Sequence, residues 1–185
     1  MNYLKLSNIP TKEIKKYFYN FANTISFKIQ YFAEYKFGDH PELDQLAKSL
    51  VVKYKFPMIR YFMIFKYPNN NEQLIHVDGI EGDYTQPYTS LNLLLNECKD
   101  SSMNFYRGNY SVEHKYFEGF NSSYIKWKSD PELTESFIWE ENVFYAVNPS
   151  VPHNIITRDN ERLTLCIRFS NPKFSPADIT AYQEV

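Results

Sequence analysis

His76 and Asp78 stand two residues apart in the stretch Gln73-Leu74-Ile75-His76-Val77-Asp78-Gly79. On an extended strand, residues i and i+2 point to the same side. The imidazole and the carboxylate therefore project together, while Val77 turns the other way into apolar packing. Such a pair supplies two of the three ligands of a facial metal triad, and one more His would complete it. The chain has 4 His in all. His40 opens a helix pattern and His114 lies in a polar segment, so both read as structural. The residue that can complete the set is His153, far downstream in Asn148-Pro149-Ser150-Val151-Pro152-His153-Asn154-Ile155-Ile156. Whether those three side chains meet decides the functional reading.

A second polar set lies on the strand pattern Arg162-Leu163-Thr164-Leu165-Cys166-Ile167-Arg168. Leu163, Leu165 and Ile167 share one face, and Arg162, Thr164, Cys166 and Arg168 share the other. A guanidinium turned into an apolar interior is expensive unless something anionic meets it. Arg162 follows His153 across one polar turn and reads as its hairpin neighbour, so an anionic ligand is its expected partner. For Arg168, near the strand's far end, an anion and an open barrel end leading to water or a carboxylate are equal readings.

These residues need a frame. With 185 residues the chain is long enough for one domain with a real core and too short for two comfortable ones. There are 15 Phe and 16 Tyr against 5 Gly, so long flexible linkers are not expected. The net charge of −2 lacks the basic excess of a dedicated nucleic-acid binder. Of the 2 Cys, Cys98 sits in a polar turn and Cys166 in an apolar strand, so both read as reduced thiols. The N-terminus has no apolar leader and no run approaches membrane-spanning length, which makes a soluble cytoplasmic protein, with no membrane partner, the expectation.

Residues 1–10 read as a short extended lead. Ile14, Tyr17, Phe18, Phe21, Ile25, Ile29 and Phe32 recur at helical spacing after the N-cap Thr11, which predicts a helix over 11–35. Asp39-His40-Pro41-Glu42 starts a second helix, and Pro57 stops it. Strands follow. In 58–67, Ile59, Tyr61, Met63, Phe65 and Tyr67 fall on one face. The pair of His76 and Asp78 comes next, then a polar loop over 79–88, the alternation Leu91, Leu93, Leu95, and a turn into Met103–Tyr106 as its partner. Residues 107–135 suggest irregular strands and a loop. Phe137–Trp139 and Val143–Val147 flank a hairpin turn at Glu140-Glu141-Asn142. Two helices ahead of about eight short strands predict a mainly β chain with supporting N-terminal helices, a jelly-roll barrel. The expected division is 1–57 helical support, 58–170 jelly-roll core and 171–185 peripheral tail.

Taken in order, these motifs resemble the Fe(II)- and 2-oxoglutarate-dependent oxygenases. There is a Tyr before the pair (Tyr67-Pro68), then His76 and Asp78, and a Leu-Asn-plus-aromatic segment (Leu91–Tyr106). An apolar strand then runs into a distal His (Val143–His153), and Arg162-Leu163-Thr164 begins the last barrel strand. The resemblance covers about 58–170. It implies a double-stranded β-helix, a cupin-like barrel, with iron ligands at His76, Asp78 and His153. Arg162 would grip the distal carboxylate of 2-oxoglutarate, with Thr164 and Tyr67 adding hydroxyl contacts. A guanidinium suits that role, since it stays charged and offers two parallel donors. The activity implied is a dioxygenase that consumes O2, converts 2-oxoglutarate to succinate and CO2, and hydroxylates a C–H bond of a peptide side chain or small molecule.

The spacing of Arg162 and Arg168 also resembles the Arg-x5-Arg signature of the alkylated-nucleobase demethylase branch. That branch's Asn two residues before the Tyr is Phe65 here. Two rivals remain: a non-catalytic jelly-roll binding module, and a metal cupin oxygenase that uses no oxoacid. The loop over 79–88 and the segment 107–128 are expected at the entrance, with Tyr84, Tyr88, Tyr106 and Trp127 as candidate substrate contacts.

Overall fold

A computed structural model of the chain describes residues 1–78, 89–117, 120–171 and 173–180. The first half contains β1 (Tyr3–Leu6), α1 (Lys12–Thr24), β2 (Gln30–Glu34), α2 (Pro41–Tyr54), β3 (Ile59–Tyr67), β4 (Asn71–Glu72) and β5 (Ser90–Leu94). The second contains β6 (Ser102–Arg107), β7 (Tyr110–Phe117), β8 (Phe120–Trp127), β9 (Glu132–Ile138), β10 (Phe144–Val147), β11 (His153–Thr157), β12 (Arg162–Phe169) and α3 (Pro176–Thr180). Among the described residues the strands form a larger sheet, β1-β10-β5-β12-β3-β2, a smaller one, β4-β11-β6-β9, and a hairpin, β7-β8. The pairings in both sheets are antiparallel, and the chain alternates between the sheets from β3 to β6 and again from β9 to β12, as a double-stranded β-helix requires. Among the described residues, no helix is long and apolar enough to cross a membrane.

Strand alternation sorts the side chains into layers. Leu163, Leu165 and Ile167 of β12, with Leu91 and Leu93 of β5, join Phe18 of α1 and Leu43 and Leu50 of α2 in the core beneath the larger sheet. The opposite faces of the same strands carry Ser90, Asn92, Arg162, Thr164, Cys166 and Arg168, which line a cavity between the sheets. A second apolar cluster closes one end of that cavity, with Leu94, Tyr145 and Val147 from the larger sheet and Met103, Phe105 and Phe137 from the smaller. A one-residue slip of β12 would exchange its leucines for its arginines, so burial on both faces holds the register.

Several expectations are corrected. The helix predicted over 11–35 ends at Thr24, where Ile25 is extended, and β2 takes over. Tyr31, Phe32 and Ala33 gain more by pairing with Ile64, Met63 and Phe62 of β3 than from a continued helix, because aromatic residues suit a pleated surface. Residues 1–10 are more than a lead, since β1 pairs with β10. Ile59 leaves the face of Tyr61 and Met63 for the helix-side core, because the register with β12 shifts by one between Arg168 and Phe169. β6 pairs with β11 and β9 and not with β5. Likewise β9 and β10 form no hairpin: the turn at Glu140-Glu141-Asn142 carries the chain from one sheet to the other. The same holds for β11 and β12, so Arg162 reaches the cavity from the sheet opposite His153. Most of the described residues in 107–135 are strand, with β7 and β8 in register over eight pairs where irregular strands were expected. The start of the tail is not peripheral, because Phe174 and Ile179 are buried in the main core.

Candidate metal centre

The segment after β4 runs along β11 without forming a continuous ladder. Gln73 N–H donates to Ile155 O at 3.0 Å, His76 and His153 exchange both backbone bonds at 2.9 Å, and Asp78 N–H reaches Pro149 O at 2.8 Å. This extended path gives the expected alternation: Val77 is buried, while His76 Nε2 and Asp78 Oδ1 approach to 3.6 Å. The backbone exchange with His153 brings the third side chain in, and the rings of His76 and His153 lie 4.4 Å apart. One ligand atom from each of His76, Asp78 and His153 falls within 4.8 Å of the others. His76 Nδ1 sits 2.8 Å from Leu74 O, and His153 Nδ1 sits 2.8 Å from Val151 O. A carbonyl only accepts, so each Nδ1 carries the hydrogen, and in the neutral ring each Nε2 presents its lone pair. That is the tautomer a metal needs.

Electrostatics favour the same state. Burial, reinforced by the neighbouring His76, pushes His153 down to about 4, so the ring is neutral at physiological pH. Burial pushes the Asp78 carboxyl up, but the Arg168 guanidinium, with the two imidazoles, more than offsets it and holds the group below its ordinary value. Arg168 Nη2 donates to Asp78 Oδ2 at 2.7 Å. Of the readings left open for Arg168, a carboxylate partner is the one found: the guanidinium holds one oxygen of Asp78. The other oxygen, Oδ1, faces His76.

Along β12, two-residue steps lead from Arg168 through Cys166 and Thr164 to Arg162, about 20 Å of strand. The cavity, about 460 Å³ with its mouth included, is lined at that far end by Arg162, Thr164, Tyr67, Gln73 and Trp139. Arg162 is 1 % exposed, and among the described residues its guanidinium has no hydrogen-bond or ion-pair partner. It lies 4.6 Å from the ring of Trp139 and 5.9 Å from that of Tyr67. Burial pushes its pKa down to about 10, which leaves it charged at neutral pH. Tyr67 is raised by burial despite the nearby Arg162, so its hydroxyl stays protonated. Among the described residues, Arg162 Nε, Thr164 Oγ1 and Trp139 Nε1 are all buried polar atoms without a hydrogen-bond partner. Each such group costs about 1–3 kcal/mol, which is accounted for if a polar ligand belongs among them.

The cavity thus gathers His76, Asp78, His153 and Arg168 at one end and Arg162, Thr164 and Tyr67 at the other. The backbone of β12 at Arg162 is gripped by Asn96, which accepts from Leu163 N–H at 2.8 Å and donates to Glu161 O at 2.5 Å. Tyr106 and Trp127 are elsewhere: Tyr106 donates to Asn154 Oδ1 at 3.3 Å, and Trp127 packs on Tyr110. Tyr84, Tyr88 and the loop over 79–88 lie outside the described residues. Trp139 was missed from the sequence, although the alternation Phe137-Ile138-Trp139 already puts both rings on one inward face.

No family model matches the chain, and the comparison with curated proteins found no match either. Solved structures do match. HygX from Streptomyces hygroscopicus, with nickel and 2-oxoglutarate bound, aligns with 91 % of this chain and 83 % of its own at a TM-score of 0.55 and 10 % identity. A prolyl-4-hydroxylase from Pseudomonas putida aligns with 92 % of this chain and 94 % of its own, at 0.51 and 14 %. The viral collagen prolyl hydroxylase of Paramecium bursaria Chlorella virus-1, in its 2-oxoglutarate complex, covers 92 % and 97 %, at 0.51 and 10 %. At these identities the likeness is one of fold: the chain shares their double-stranded β-helix.

Proposed function

We propose that the protein is an Fe(II)- and 2-oxoglutarate-dependent dioxygenase that hydroxylates a C–H bond of a peptide side chain or small molecule. The balance is R–H + 2-oxoglutarate + O2 → R–OH + succinate + CO2. The observation that carries the reading is Arg162, a buried cation without an anion among the described residues, facing the same cavity as a His-Asp-His cluster. A dicarboxylic acid that chelates a metal at one end and needs a counter-ion at the other accounts for both ends at once. The fold shared with two prolyl hydroxylases, and with a protein captured holding nickel and 2-oxoglutarate, supports it.

In this mechanism His76 Nε2, His153 Nε2 and Asp78 Oδ1 would hold the metal. Arg168 occupies Asp78 Oδ2 and so presents the carboxylate through one oxygen. Iron bound there would supply the chemistry that couples decarboxylation of 2-oxoglutarate to oxidation of a C–H bond. Arg162 receives the far carboxylate, and Thr164 and Tyr67 donate their hydroxyls to it. The apolar walls from Met103, Val147 and Ile155 exclude water around the reacting centre. Arg168 already has a partner inside the site, so the Arg-x5-Arg spacing requires no nucleobase to explain it. We place the protein in the cytoplasm, in keeping with its two free, buried cysteines.

The test is succinate formed from 2-oxoglutarate by the Fe(II)-loaded protein, with His76→Ala as control. Iron-dependent succinate from the wild type and none from the variant is the expected result. Metal binding without binding or consumption of 2-oxoglutarate would leave a metal cupin oxygenase, and binding of neither would leave a non-catalytic module.

A further inference from the structure

Among the described residues, four buried polar atoms without a hydrogen-bond partner meet in one wall of the cavity. Gln73 Oε1, Trp139 Nε1, Arg162 Nε and Thr164 Oγ1 all belong to residues lining its far end. Gln73 Oε1 is an acceptor and stands apart from the rest. The other three can donate together, and an indole N–H can do nothing else.

Trp139 is 4 % exposed and held from several sides. Phe137 and Tyr145 pack edge-on against it at 4.8 and 5.0 Å, and its backbone N–H donates to Ser101 O at 2.9 Å. The ring cannot turn its N–H to solvent without dismantling that aromatic cluster. Its face meanwhile lies 4.6 Å from the Arg162 guanidinium, within cation–π range.

We infer that Trp139 is a carboxylate-binding residue of this site: its Nε1–H donates to the anion that Arg162 receives, and its ring holds the guanidinium in place. The inference rests on the dioxygenase reading and deepens it. One cation joined by two neutral donors, the indole and the Thr164 hydroxyl, suits a singly charged carboxylate better than a phosphate dianion. The far end of the cavity is thus shaped for the terminal carboxylate of a short oxoacid.

Trp139→Phe tests this, because it keeps an aromatic face for Arg162 and removes only the N–H. Protein loaded with redox-inert Mn(II) is titrated calorimetrically with 2-oxoglutarate. The variant is expected to bind 2-oxoglutarate about tenfold more weakly, the loss of one hydrogen bond to a charged group, with Mn(II) affinity unchanged. A second readout needs no variant fold. The chain has 2 Trp, so indole-15N labelling gives two N–H signals, and that of Trp139 should move downfield and resist exchange when 2-oxoglutarate is added to protein loaded with diamagnetic Zn(II). Wild-type affinity in Trp139→Phe, or an indole signal indifferent to saturating 2-oxoglutarate, overturns the inference and leaves the dioxygenase reading standing. A wild-type protein that binds no 2-oxoglutarate overturns both.

Discussion

A guanidinium that is 1 % exposed and has no carboxylate partner burdens the ligand-free protein. Arg162→Met, of similar length and apolar, is therefore expected to stabilise that state by about 1–3 kcal/mol in thermal or denaturant unfolding. The same change should weaken 2-oxoglutarate binding by about a hundredfold or more while sparing the metal; equal loss of both would contradict the role given to Arg162. Arg168 has the opposite signature. Arg168→Met removes the donor that orients Asp78 Oδ2 and should lower Mn(II) affinity by about 10–100-fold, with little change in 2-oxoglutarate affinity once metal is saturating. His153 sets a pH dependence. Its folded pKa of about 4 lies below the ordinary 6.5, so between those values the unfolded chain holds a proton that the folded one does not. Stability of the metal-free protein is then complete above about 6.5 and falls by up to about 3 kcal/mol as pH drops through about 4. Asp78, also depressed, works in the same direction. His153→Gln should flatten this decline, as read from unfolding midpoints across pH.

At the scale of the element, β12 organises the molecule: one face belongs to the core, and the other carries four residues of the cavity. That alternation was legible in the sequence, and so was the shared direction of His76 and Asp78, because both follow from a period of two. The partner of Arg168 was not. Asp78 comes near it only through the packing of one sheet on the other, and nothing local encodes that contact. Local pattern also misled where pairing decides: Ile29 and Phe32 keep helical spacing yet lie at or in β2, and Glu140-Glu141-Asn142 looks like a hairpin turn where the chain changes sheets. The helices α1 and α2 cover the outer face of the larger sheet, with Phe62 meeting Phe18 edge-on at 5.1 Å. Phe62→Ala should cost about 3–5 kcal/mol in denaturant unfolding, with metal affinity retained in the fraction still folded.

At the scale of the whole molecule, two sheets converge so that residues far apart in sequence share one cavity, with a polar cluster at either end. No family model and no curated protein matches the chain, while the fold is shared with structures at 10–14 % identity. A burial pattern and a few polar side chains are enough to hold such a barrel, and the rest of the sequence is free to drift. The claim on which the function depends is that one cavity binds a divalent metal at His76, Asp78 and His153 and an oxoacid between that metal and Arg162. Anaerobic titration of the Fe(II)-loaded protein with 2-oxoglutarate tests it most directly. The expected result is saturable binding of one equivalent that requires the metal and disappears in both His153→Ala and Arg162→Met. Binding of 2-oxoglutarate that ignores the metal, or no binding at all to the metal-loaded wild type, would contradict it.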